Sequence, residues 1–393
     1  MRVALVRGPN LNPWELANFE PLGDVVAFGS RRGAFADQQL SLPVRRLASP
    51  ADAVARLPAL GRAAVARFGG DVGHLAGLER AVRGFDIVHT AELSTGYSAQ
   101  ALRARDRGAC RRVIATVWEN IPLPAPQNAL VARRVRRVAA GLDHCVAISE
   151  AARLHLELSG VPPERIDVLP MGVDLERFAP AAGERAPGPL RILSVARLVS
   201  EKGVEDLVVA LRLLAGRGVD AELTVVGSGP LRPRLDAMAR ELRVRVRVLG
   251  GVPHRELPAL HRASDVLVLA SAPRATWREQ FGFAVVEALG SGLPVLAGDS
   301  GSLDEVVGDT EQLVRPHDVT ALADALAALA ADPERRRRQG ERNRRRALER
   351  YDRRRVAERL RALYERVLAA PPRGSDGRSA ASSTSSGTEP ATG

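Results

Sequence analysis

Short apolar runs rich in valine, leucine and isoleucine recur along the chain, separated by longer stretches with a helix-like period. They fall at residues 2–7, 24–28, 86–90, 111–118, 144–149 and 165–170. A second set follows at 191–197, 221–227, 245–250, 265–271, 293–298 and 312–315. Short apolar, β-branched runs alternating with longer helical stretches predict parallel sheets, with the helical stretches as crossovers. Two sets of six predict an α/β chain built of two doubly wound, Rossmann-like domains.

Residues 179–189 are rich in proline, glycine and alanine without periodicity, and read as a linker. That places an N-terminal domain at 1–178 and a C-terminal domain at 190–350. Helical periodicity continues, heavily arginine-rich, to about residue 368. Residues 371–393 are mostly serine, glycine, threonine, proline and alanine, which predicts a disordered tail.

Composition narrows the class. At 393 residues the chain can bury two cores, and its 45% hydrophobic and 26% charged residues are those of a soluble protein. Residues 1–8 form too short an apolar run for a signal peptide and read as a first strand. The two cysteines, Cys110 and Cys145, make neither a disulfide framework nor a zinc signature, so the cytoplasm is the default compartment. A net charge of +11 raises nucleic acid or an anionic membrane as partners. With 4% aromatic residues and no recognised binding motif, nucleic acid is set aside. The segment 131–138 carries Arg133, Arg134, Arg136 and Arg137 among small and branched apolar residues. It is either a solvated helix face or a peripheral docking surface for anionic lipid.

Ligands of open α/β sheets bind beyond the carboxyl ends of strands, so the chemistry is sought there. Arg197 ends one predicted strand, and Lys202-Gly203 opens the following helix, where backbone N–H groups already favour an anion. Two cations there suit a diphosphate; a pair of unpartnered surface charges is the other reading. Lys202 is the chain's single lysine among 57 basic residues. A compact ammonium does not substitute for a guanidinium fork, so the exception argues for a specific need. Further on, Glu279 precedes a short apolar helix and Glu287 lies inside it, with Phe281-Gly282 between them. A carboxylate inside an apolar helix requires partners, which a pair of ligand hydroxyls or an arginine would supply. Gly227-Ser228-Gly229 is a glycine turn after a strand, and Gly250-Gly251-Val252-Pro253 is a backbone-rich loop suited to a flat base. The segment 297–305 offers either amides to a phosphate or a capped loop. His89 is a strand-end histidine, either an acceptor-side group or a hydrogen-bonded core residue.

The spacing Arg197-x4-Lys202-Gly203, Gly227-x-Gly229 and Glu279-x7-Glu287 with Phe281-Gly282 resembles the group 1 (family 4) retaining glycosyltransferases. So do Ala147-Ile148-Ser149-Glu150 and Leu169-Pro170-Met171-Gly172-Val173-Asp174 with Phe178; together the likeness covers residues 86–318. The resemblance implies a GT-B fold, two Rossmann-like domains facing a central cleft, with the nucleotide-sugar donor held mainly by the C-terminal one. It implies that Arg197 and Lys202 neutralise the diphosphate, that Glu279 contacts the transferred sugar and that Glu287 holds the ribose hydroxyls. Gly229, Val252, Phe281 and Gly282 complete the implied donor site, and a helix within 351–370 would cross back to the N-terminal domain. The departures lie on the acceptor side: residues 8–15 lack a Gly-Gly, Trp118-Glu119-Asn120 stands where a histidine is common, and Met171 replaces an asparagine. The acceptor is thus a glycan, a lipid or a small molecule.

No two aspartates are separated by one residue, so the Asp-x-Asp of metal-dependent sugar transferases is missing and no metal or other cofactor is expected. Two other classes stay open: a sugar-nucleotide epimerase or phosphorylase on the same architecture, and a non-catalytic, membrane-associated sugar-binding protein.

Overall fold

The computed structural model describes residues 1–33, 40–54, 73–122, 129–183 and 188–371. The tail expected to be disordered lies, from residue 372 on, outside the described residues, as does part of the 179–189 segment.

The first sheet comprises β1 (Val3–Gly8), β2 (Val25–Ser30), β3 (Val44–Leu47), β4 (Phe85–Ala91), β5 (Cys110–Val117), β6 (His144–Ala147) and β7 (Ile166–Val168). Its order is β3-β2-β1-β4-β5-β6-β7, all parallel. This is one strand more than the six predicted. The additional strand, β3, reads Val-Arg-Arg-Leu and buries no residue, because it is an edge. An edge strand kept short and charged leaves no apolar run to detect.

The second sheet holds β8 (Leu190–Val195), β9 (Ala221–Val226), β10 (Val246–Gly250), β11 (Val266–Leu269), β12 (Val295–Gly298) and β13 (Leu313–Val314). Its order is β10-β9-β8-β11-β12-β13, again parallel. Strand order reverses between β1 and β4 in one sheet and between β8 and β11 in the other. At each reversal the crossovers diverge to opposite faces and leave a crevice at the strands' carboxyl ends.

The chain passes between the sheets twice, and the two crossings touch. Val173 N donates to Tyr351 O (2.8 Å) and Arg353 N to Val173 O (3.1 Å). Arg344 donates to the carbonyls of Leu175, Phe178 and Gly290, binding the first crossing to the second domain. The helix Arg353–Ala369 then lies on the first sheet. Its Val356, Leu360, Leu363, Tyr364 and Val367 share one core with Val3, Leu5, Ile87 and Ile114.

His89 belongs to that core and not to an acceptor site. It is fully buried, with Nδ1 2.5 Å from the Tyr364 hydroxyl and Nε2 2.7 Å from Thr116 Oγ1. Burial holds its pKa well below the ordinary histidine value, so the ring is neutral.

The four-arginine segment lies in the helix Ala129–Gly141, which buries only Val138 and Ala139. Leu130 is 75% exposed, and Arg134 donates to Ser94 O. Arg133, Arg136 and Arg137 make no ion pair with a described residue. Among the described residues no helix is long and apolar enough to cross a membrane.

Candidate active site

The carboxyl ends of β8 and β11 open into a cleft of about 890 Å³ that Pro13 and Trp14 of the N-terminal domain also line. Its walls bring together Arg197, Lys202, Val252, Glu279, Gly282 and Glu287 from distant parts of the sequence.

Local backbone geometry sets Lys202. Residues Ser200–Lys202 form a single 3₁₀ turn, closed by Gly203 at φ 63°. A Cβ at Gly203 would run into Ala270 O, so glycine is what lets this turn sit on the end of β11. Lys202 Nζ then lies 2.5 Å from Glu279 Oε2 and 4.9 Å from the centre of the Trp277 ring. Ser271 Oγ donates to the same Oε2 (2.7 Å), while Oε1 accepts no hydrogen bond from a described residue. Both side chains of the pair are nearly buried, at 12% and 10% exposed, so the contact is desolvated. Arg197 is the opposite case: its guanidinium is 64% exposed and only loosely placed, 3.5 Å from Glu201.

Glu279 is gripped through its main chain as well. Its carbonyl accepts from Asn120 Nδ2 of the N-terminal domain (2.7 Å) and from Ser302 N (3.0 Å). Asn120 also donates to Ser302 Oγ, which donates to Ser149 Oγ back in the N-terminal domain. Within the segment 297–305, Ser302 thus forms part of an interdomain clasp, with its amide already used.

Glu287 sits in the helix Phe283–Gly290, buried, with Oε1 2.6 Å from His254 Nε2. Its partner is a histidine, neither solvent nor an arginine. Burial raises the Glu287 carboxyl above its ordinary pKa, and the His254 hydrogen bond opposes this. His261 approaches Oε2 at 3.9 Å, too far for a hydrogen bond, and burial pushes its pKa down to about 3, so it contributes no charge. His254 in turn faces Trp14 across the cleft, ring centres 6.1 Å apart. Trp14 is held there by a buried pair, Arg7 Nε to Glu15 Oε1 at 2.6 Å, which pins the loop after β1.

Two expected donor-site residues stand behind the wall. Phe281 is buried against Trp118, Phe283 and Tyr351. Gly229 allows close backbone approach to Leu198. Gly227 of the same turn does line the cleft.

The sequence matches "Glycosyl transferases group 1" over residues 177–346 and "Glycosyltransferase Family 4" over residues 24–177. It is 33% identical over 306 residues to the MMP alpha-(1->4)-mannosyltransferase of Mycolicibacterium hassiacum, covering 72% of this chain and 71% of that relative. The chain belongs to the group 1 glycosyltransferases. A GDP-mannose-dependent alpha-(1-6)-phosphatidylinositol monomannoside mannosyltransferase of Mycolicibacterium smegmatis is 34% identical over 249 residues, or 59% of this chain. That match spans 64% of the relative's length, under two thirds of it. HepE from Anabaena, solved in complex with UDP, shares the fold with a TM-score of 0.74 at 18% identity, over 93% of this chain and 100% of that one. The fold of this group 1 glycosyltransferase is therefore GT-B, two Rossmann-like domains about a cleft.

His254 gave no signal in the sequence, since a lone histidine after Val252-Pro253 has no spacing relation to Glu287. Its contact supplies a test. A carboxyl whose folded pKa is raised adds stability below its unfolded value and loses that contribution as pH rises through the folded one. Glu287→Gln removes the titration, so its stability advantage over the native chain is expected to grow from pH 5 to pH 8. Chemical denaturation at the two pH values measures the gap; a gap independent of pH refutes the burial argument.

Proposed function

We propose that the cleft binds a nucleoside-diphosphate sugar and transfers its hexose to a hydroxyl of a glycan, a lipid-linked or a small-molecule acceptor, with retention and without a metal ion. The observation that carries this reading is the desolvated Lys202–Glu279 pair at the cleft wall, with the exposed Arg197 beside it. Departure of a nucleoside diphosphate develops negative charge, and preorganised cations stabilise it without reorganising at the moment of reaction. Arg197 and Lys202 take that role. The unengaged Oε1 of Glu279 meets a hydroxyl of the sugar, and Glu287 meets the ribose hydroxyls once His254 yields its place. Gly251, Val252 and Pro253 present main chain to the base. Retention is carried over from the family likeness: the leaving phosphate, held by the two cations, takes the acceptor's proton on the face it leaves. GDP-mannose, from the mycobacterial relative's name, and uridine diphosphate sugars, from the ligand of HepE, are the first donors to test.

The exposed arginines of the helix Ala129–Gly141 fit a peripheral contact with anionic headgroups, which would bring a lipid-linked acceptor to the cleft. Binding to phosphatidylglycerol vesicles that fades between low and high salt supports this contact. Equal binding to neutral vesicles refutes it.

Lys202→Ala leaves Glu279 unpaired and removes one of two phosphate cations. Calorimetric affinity for the nucleoside diphosphate is expected to fall by roughly 100-fold, the scale of removing one charge-assisted hydrogen bond from a desolvated site. Unchanged affinity sinks the diphosphate assignment. Transfer activity is expected to persist in excess EDTA; strict dependence on Mg²⁺ or Mn²⁺ overturns the metal-free route.

A further inference from the structure

At the carboxyl end of β4, Glu92 adopts φ 61°, a left-handed conformation disfavoured for a residue with a Cβ. Its main chain is fixed by a bond from Glu92 N to Thr116 O (2.9 Å), and its Oε1 accepts from Trp118 N (2.8 Å). The carboxylate therefore anchors the loop that follows β5. Two residues on, Asn120 crosses to the other domain, where Nδ2 donates to Glu279 O and Ser302 Oγ. Glu279 Oε2 in turn holds Lys202 Nζ. We propose that Glu92 is a positioning residue: its carboxylate fixes the 118–120 loop and, through Asn120, the main chain of Glu279, so that the N-terminal domain sets the Lys202–Glu279 pair. This rests on reading the cleft as the donor site.

The orientation of the Asn120 amide supports the relay. The nitrogen makes both bonds, while the buried Oδ1 has no partner among the described residues. A flipped amide would set oxygen against the Glu279 carbonyl, so a small shift of the loop breaks the clasp without offering a substitute. Ionisation bears on it too. Burial raises the Glu92 carboxyl to about 7, the Glu119 and Glu15 carboxylates adding to the effect and the Trp118 amide opposing it. Tyr97, from the helix Gly96–Asp106, also faces it, and burial raises its hydroxyl well above the ordinary value. The carboxylate is the stronger acceptor for the loop amides, so the loop is held best above pH 7.

The test uses the full chain with Glu92→Gln, Asn120→Ala and the double variant. In Glu92→Gln, amide hydrogen exchange at residues 118–120 is expected to speed roughly tenfold at pH 8, as for replacing a charged acceptor by a neutral one. With the donor that binds, native kcat is expected to rise through pH 7 and the variant's to stay flat, its donor KM changing less than threefold. Because both residues act through one chain of contacts, the double variant should lose no more kcat than Asn120→Ala alone. Native exchange at 118–120 in Glu92→Gln, an unchanged pH profile, or losses that multiply in the double variant each overturn the relay. If Glu92→Gln does not fold, Asn120→Ala must still speed exchange at Glu279 and Ser302, and its failure to do so overturns the proposal. Failure of the native chain to bind any nucleoside diphosphate would strike the donor-site reading instead, and the exchange measurements still decide the relay.

Discussion

A carboxylate taken out of water has to be held by something, and around Glu279 that requirement organises the cleft. Lys202 and Ser271 hold one carboxylate oxygen, while Asn120 and Ser302 hold the residue's own carbonyl. The first two partners come from the second domain, and Asn120 comes from the first. The residue whose charge is held from within the second domain is therefore also the one that the first domain grips, through its carbonyl. Breaking one buried partner leaves the others partly unsatisfied, which makes such networks all-or-none.

The choice of lysine follows from the space available. Between Glu279 Oε2 and the face of Trp277 there is room for a compact ammonium with its hydrogen-bond donors radiating from one atom. A planar guanidinium could lie flat on the ring or fork to the carboxylate, but its donors lie in one plane. Elsewhere on the surface the chain uses arginine, as in the exposed pairs Arg337–Glu341 and Arg245–Asp220, where geometry is forgiving.

What could be read from the sequence was whatever is local. Twelve strands carry apolar runs that were visible, the edges β10 and β13 among them, and β3, Val-Arg-Arg-Leu, was not because an edge strand need not be apolar. Lys202 stood out by composition, and Glu287 by lying in an apolar helix. That Lys202 meets Glu279, 77 positions away, is a fact of chain topology that spacing does not encode. His254 was invisible for the same reason, and Phe281, adjacent in sequence to lining residues, turned out to face the core. Trp118-Glu119-Asn120 was legible only as a departure; its use, a hydrogen bond across the domain boundary, needed coordinates.

The helix Arg353–Ala369 carries a consequence for how the molecule is made. Val3, Leu5, Ile87 and Ile114 belong to strands of the first sheet, emerging early from the ribosome, yet much of their cover comes from this helix, beside Leu16, Phe19 and Leu22 of the first half. Domains generally fold as units in order of synthesis. Here the half that is translated first cannot finish its core until the other half has been made. In the interval, the part of its sheet's apolar face which Val356, Leu360, Leu363 and Tyr364 will cover stays open to solvent.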